Sequence, residues 1–291
     1  RIRPEDQSNI SPYIYYGLQN MSGNHKVVRD WLDIMNKYVG NYTGTLWMDQ
    51  VAESLYGLRK LTNGTDYDGM GTHGGGDICV AANVDVDVDG VIVSVGSYNP
   101  SVRNALATVS NVLSENTKNL SWTRSADVSY LMFGFQYMST DCVEVRNLIK
   151  AVTPLVAALD VKTKPFTTAH ISSICYCLNR MNGRYSEVEG LLQTFLKLFN
   201  TQLQYISKYE GSDNDNDSDN DSDGGAVEAD KYRLEPFTPQ QLGLCLYGLQ
   251  NISNGSGSGS VANHSNSSQS SSKSNGTMDM TLQLLKNIIN T

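Results

Sequence analysis

Five times along this 291-residue chain an aromatic ring is followed, three and four residues later, by polar or further aromatic side chains. The rings are Tyr16, Tyr56, Phe133, Tyr176 and Tyr247; the residues three on are Gln19, Arg59, Gln136, Asn179 and Gln250; those four on are Asn20, Lys60, Tyr137, Arg180 and Asn251. On a helix, positions i, i+3 and i+4 share a face, so each triplet forms one patch. A ring can stack on a base, amides can meet its edge and cations can meet phosphate, which is the set used by readers of single-stranded nucleic acid. The competing reading is structural: in stacked helical hairpins the ring column packs between successive units.

Other chemistry-bearing residues do not converge. His25, His73, His170 and His264 are scattered over a turn, a Gly-rich stretch, a helix start and a Ser-rich stretch, and none stands at metal-ligand spacing from another His or a Cys. Gly69-x-Gly71-x-x-Gly74 matches a dinucleotide fingerprint in letters only, because no buried strand precedes it and no helix follows. Asp85-x-Asp87-x-Asp89-Gly90 and Asp219-x-Asp221-x-Asp223-Gly224 satisfy the first half of a calcium-loop pattern. The closing bidentate Glu is replaced by Gly96 in the first and Asp230 in the second, so a hairpin and an acidic linker are the plainer readings. The sequence points to no enzyme, no metal and no cofactor.

The triplets ride on a repeated segment. IYYGLQNM at Ile14 to Met21 returns as SLYGLRKL, LMFGFQYM, ICYCLNRM and CLYGLQNI, starting at Ser54, Leu131, Ile174 and Cys245. A second amphipathic segment follows at fixed distance: Val28, Val145 and Val188 each lie 11 residues after Gly17, Gly134 and Cys177. Gly17 to Gly57 is 40 residues and Gly134 to Cys177 is 43, the period of a two-helix hairpin repeat. The pattern predicts an all-α superhelix, a solenoid of five hairpins over 1–291, with helices near 9–22, 24–40, 46–62, 101–116, 124–139, 142–159, 167–182, 185–206, 238–253 and 279–290. Gly17, Gly57, Gly134 and Gly248 fall on the apolar face, where Gly costs about 1 kcal/mol relative to Ala. Close approach to the partner helix is the expected compensation, and the small Cys177 takes the same slot.

Three insertions interrupt the repeats. Within 63–100, valines alternate on both sides of Asp89-Gly90, which predicts a β-hairpin over 84–95. The acidic run 209–230 and the Ser/Asn/Gly-rich run 254–276 are low-complexity and predict disorder. The net charge of −8 is concentrated there: 63–100 and 209–230 hold fifteen acidic residues and no basic one, leaving the helical scaffold net positive by seven. No apolar run reaches the roughly 18 residues of a spanning helix. The five cysteines have no CxxC pairing and three fall inside the repeated helix, so they read as reduced core residues and favour an intracellular setting. The chain begins at Arg1, which suggests a processed form or a piece of something longer.

PFTPQQLGLCLYGLQNIS from Pro236 and the weaker PFTTAHISSICYCLNRMN from Pro165 resemble the repeated helix of organellar octotricopeptide-type and RAP-associated helical-repeat proteins. That resemblance implies RNA binding in RNA processing, stability or translation, and a mitochondrion or chloroplast as the compartment. The expected function is therefore a non-catalytic scaffold that binds single-stranded RNA on the first-helix face. The alternative is a protein-interaction scaffold receiving an extended peptide or a partner helix.

Overall fold

The structure, a computed structural model, describes residues 11–23, 25–44, 46–59, 61, 99–116, 124–210, 234–253 and 274–289. Among these the regular elements are helical, one 3₁₀ helix at Pro12–Leu18 and nine α-helices, with no strand. The α-helices are α1 (Lys26–Val39), α2 (Met48–Leu58), α3 (Pro100–Asn116), α4 (Ser125–Gly134), α5 (Val143–Ala157), α6 (Thr168–Cys177), α7 (Ser186–Glu210), α8 (Pro239–Ser253) and α9 (Ser274–Ile289). The chain is all-α over these residues. The hairpin expected at 84–95 and the calcium-like loops lie outside the described residues, as do the three insertions apart from their edges. At those edges helix replaces the expected irregular chain: α7 runs to Glu210 and α9 already begins at Ser274.

The apolar period explains the helices. In α1, Val28, Leu32, Met35 and Val39 stand at i, i+4, i+7 and i+11 and are all buried. In α5, Val145, Leu148, Ile149, Val152, Leu155 and Val156 do the same. The helix expected over 9–22 is instead the short 3₁₀ helix, opened by Pro12 and capped by Ser11, whose Oγ accepts from the Tyr13 N–H at 3.3 Å. Short helices depend on tertiary packing, and this one packs chiefly on α2, with the buried Tyr15 donating its hydroxyl to Asn36 Oδ1 of α1 at 2.5 Å.

Neighbours follow a simple order. The 3₁₀ helix packs on α2, α2 on α4, α4 on α6 and α6 on α8; α1 packs on α3, α3 on α5, α5 on α7 and α7 on α9. The helices thus form two rows, one from the 3₁₀ helix through α2, α4 and α6 to α8 and one from α1 through α3, α5 and α7 to α9, and α8 also packs on α9. Polar side chains tie the connections: Gln202 Oε1 accepts from Phe166 N and its Nε2 donates to Phe166 O, both at 2.8 Å, and Thr140 Oγ1 accepts from Asn182 N at 2.8 Å.

The glycine slot faces a different neighbour from the one expected. A Cβ on Gly57 would overlap the carbonyl of Tyr15, and one on Gly248 that of Cys175; one on Gly134 would lie 2.5 Å from Leu55 Cβ. The close contacts therefore run from α2 back to the 3₁₀ helix, from α4 back to α2 and from α8 back to α6, and not to the following helix that the hairpin reading expected. Gly17 has nothing within 4 Å of its Cβ position. The four described cysteines, Cys142, Cys175, Cys177 and Cys245, are free and buried.

Candidate partner-binding surface

The side-by-side packing of first helices brings the rings of the column together. Tyr13 stacks on Tyr16 at 5.6 Å between centroids, Tyr16 meets Tyr56 at 6.1 Å, and Tyr56 stacks on Phe133 at 5.8 Å. Tyr176 stacks on Tyr247 at 5.8 Å. These distances follow from the glycine slots, since backbones that touch hold equivalent rings within stacking range. No ring contact joins Phe133 to Tyr176, and that step is the one where Cys177 stands in place of Gly.

Tyr16, Tyr56, Phe133 and Tyr176 are half-buried, while Tyr247 is 49% exposed. The column is thus partly packing between neighbouring helices and partly surface. Tyr13, Tyr130 and Glu53 each lie three residues before a ring of the column and so share its helix face. Tyr130 lies 5.7 Å from Tyr56, and burial, with Tyr16, Glu53 and Tyr56 nearby, pushes its hydroxyl up to about 12. Burial, then the charge of Asp49, raises the carboxyl of Glu53 above its ordinary value.

The polar columns are placed unevenly. Arg59, expected to meet phosphate, is only 6% exposed: its guanidinium carbon lies 3.7 Å from the Tyr56 centroid and 4.4 Å from that of Phe133, and Nη1 donates to Gln136 Oε1 at 3.2 Å. Gln136 is buried with it. Both therefore belong to the packing beneath the rings, because a planar cation on two ring faces replaces water with π contacts. Gln19, Asn179 and Tyr137 are half-buried; Asn20, Arg180 and Gln250 are exposed. Arg180 lies 5.8 Å from the Tyr137 ring. Lys60 and the Asn251 side chain lie outside the described residues.

Nearby cations are engaged by acids: Arg124 bonds Asp127 at 2.8 Å and Arg184 bonds Asp141 at 3.0 Å. Among the described residues no group of three His, Cys, Asp or Glu side chains is placed to hold a metal ion, and no helix is long and apolar enough to cross a membrane. Compared with known proteins, the chain matches no family model, no curated protein and no solved structure.

Proposed function

We propose that this protein is a non-catalytic binding scaffold, an α-α superhelix of stacked hairpins whose strip of tyrosines receives an extended peptide of a partner protein. The order of helix contacts and the recurrence of the glycine slot support the repeat reading. The observation that carries the peptide reading is the character of the strip. Tyr13, Tyr16, Tyr56, Tyr130 and Phe133 form a continuous aromatic surface, Glu53 borders it, and its conspicuous cation, Arg59, is spent on the rings beneath. Tyrosine offers large contact area at low entropic cost and a hydroxyl for backbone hydrogen bonds, which suits protein recognition.

Single-stranded RNA is the second reading. The exposed Arg180 beside Tyr137 favours it, as does the resemblance to organellar RNA-binding repeats. The rings from Tyr13 to Phe133 lie 5.6 to 6.1 Å apart, stacked or tilted against one another, so a base would enter between them only by parting them.

One experiment separates the two. The purified chain is panned against a displayed library of random peptides and, in parallel, titrated with fluorescent oligouridylate at low salt. Enriched peptides whose binding falls in Tyr13→Ala, the exposed ring at the edge of the tyrosine strip, support the first reading. Oligouridylate binding with a steep salt dependence that Arg180→Ala flattens replaces it with the second. Failure of both probes removes the strip as a binding surface.

A further inference from the structure

Each internal contact between units uses the same places on the helices. In the second helices, Asn36 of α1 donates to the carbonyl of Ser101 in α3 at 3.3 Å, and Arg103 of α3 bonds Glu144 of α5 at 2.8 Å. Asn287 of α9 donates to Asn200 of α7 at 2.6 Å. Ser101 and Glu144 each stand one residue before the buried valines Val102 and Val145, so the same place on α1 is Val27, before Val28. The α9 register follows from Gly183, which abuts Thr277 and the Ile252 carbonyl as Gly23 abuts Val102 and the Leu61 carbonyl. Counted from Thr277, Met278 stands where Arg103 does and Ile289 where Asn200 does.

These correspondences identify two unused faces. On α1, the face that other second helices turn to the preceding unit carries Val27, Trp31, Ile34 and Tyr38, with Val27 74% and Ile34 50% exposed. On α9, the face turned to a following unit carries Met278, Leu282, Leu285 and Ile289, with Ile289 69% exposed. The first helices repeat the finding. Gly17 is the one slot glycine with no neighbour at its Cβ, and Leu246, at the place of Leu55 and Cys175 where such glycines land, is 56% exposed. The two faces are apolar and exposed, and they are complementary in register.

We propose that one copy of this chain stacks head to tail on another, Gly17 and α1 of one closing on Leu246 and α9 of the next as one more copy of the internal joint. In that register the Tyr16 ring meets the Tyr247 ring of the neighbour, continuing the column across the junction. Such a contact joins different faces of the two copies, so it propagates into open chains unless rotation closes a ring. The proposal rests on the stacking of hairpins and is independent of what the tyrosine strip binds.

The test is sedimentation velocity of the whole chain over a wide concentration range. The expected result is an average mass that climbs past the dimer. Gly17→Leu, where an added Cβ has nothing within 4 Å, blocks one end; Leu246→Arg with Leu282→Arg, both exposed, blocks the other. Each variant alone should be monomeric with an unchanged melting temperature, and an equal mixture should give dimers and nothing larger. If Gly17→Leu melts early, Val27→Glu serves the same end. A wild-type chain that stays monomeric, or variants that associate as well as wild type, would overturn the proposal. Either result leaves the peptide reading to its own library experiment.

Discussion

Gly134 of α4 and Leu55 of α2 meet where these helices pack, and no room exists between them for a methyl group: a Cβ on Gly134 would lie 2.5 Å from Leu55 Cβ and 3.1 Å from the Leu55 carbonyl carbon. This contact sets the distance at which α4 lies against α2, and through it the 5.8 Å stack of Phe133 on Tyr56.

Gly134→Ala and Gly248→Ala should therefore destabilise the fold by about 1–3 kcal/mol, the usual cost of overpacking, despite the better helix propensity of Ala. Gly190, inside α7 with nothing within 4 Å of its Cβ position, is the internal control. Gly190→Ala should stabilise by about 0.5–1 kcal/mol. Thermal melts decide the matter, and equal effects at Gly134 and Gly190 would contradict the close-contact account.

Arg59 should behave as a packing residue. Arg59→Met retains the aliphatic stem but removes the ring contacts and leaves the buried Gln136 oxygen without its donor, at a cost of about 1–3 kcal/mol. Ligand affinity should keep its salt dependence in this variant. A change in salt slope without a change in stability would return Arg59 to the surface role expected from its column.

Two rings of the strip should separate stability from binding. Tyr56 touches Tyr16, Tyr130, Phe133 and Arg59, so Tyr56→Ala should lower the melting temperature, with a loss of about 3–5 kcal/mol as an upper range for a large aromatic truncation. Tyr13 is 43% exposed and stacks on Tyr16 alone among the described rings. Tyr13→Ala should spare the fold and weaken the partner, as measured by titration of an enriched peptide.

Gln202 satisfies both backbone groups of Phe166 from a side chain that is itself buried. Gln202→Leu keeps the volume and leaves the Phe166 N–H and carbonyl buried without a partner, at about 1–3 kcal/mol per orphaned group. Urea unfolding measures it, and a loss below that of one group would mean the loop opens to water.

His170 makes stability depend on pH. Burial holds its pKa below the ordinary 6.5, and Nδ1 accepts from the Thr167 N–H at 3.3 Å in the capping box that opens α6. The folded state thus binds the proton less readily than the unfolded state. Its contribution is whole above pH 6.5 and is lost as pH falls from there through the lowered folded value. His170→Gln, which keeps an acceptor at that place, should remove the slope below pH 6.5 in urea midpoints measured against pH.

What the chain's own letters determined is the helical class and the grouping of side chains within each helix. The valines at constant distance from the glycines predicted buried stripes such as Val28, Leu32, Met35 and Val39 in α1, because a 3.6-residue period places them on one face whatever the neighbours are. Tyr13, Tyr130 and Glu53 were legible by the same rule, three residues before a ring.

Only the tertiary structure decided which neighbour each face meets. The glycines were recognisable as close-contact positions, yet local spacing cannot distinguish a partner helix in the same hairpin from the preceding unit. The answer lay in the contact of Gly57 with the Tyr15 backbone and of Gly248 with that of Cys175. The same limit hid the fate of Arg59. A cation on a helix face is free to reach solvent in an isolated helix, but α4 brings Phe133 and Gln136 over it and turns a surface charge into part of the core.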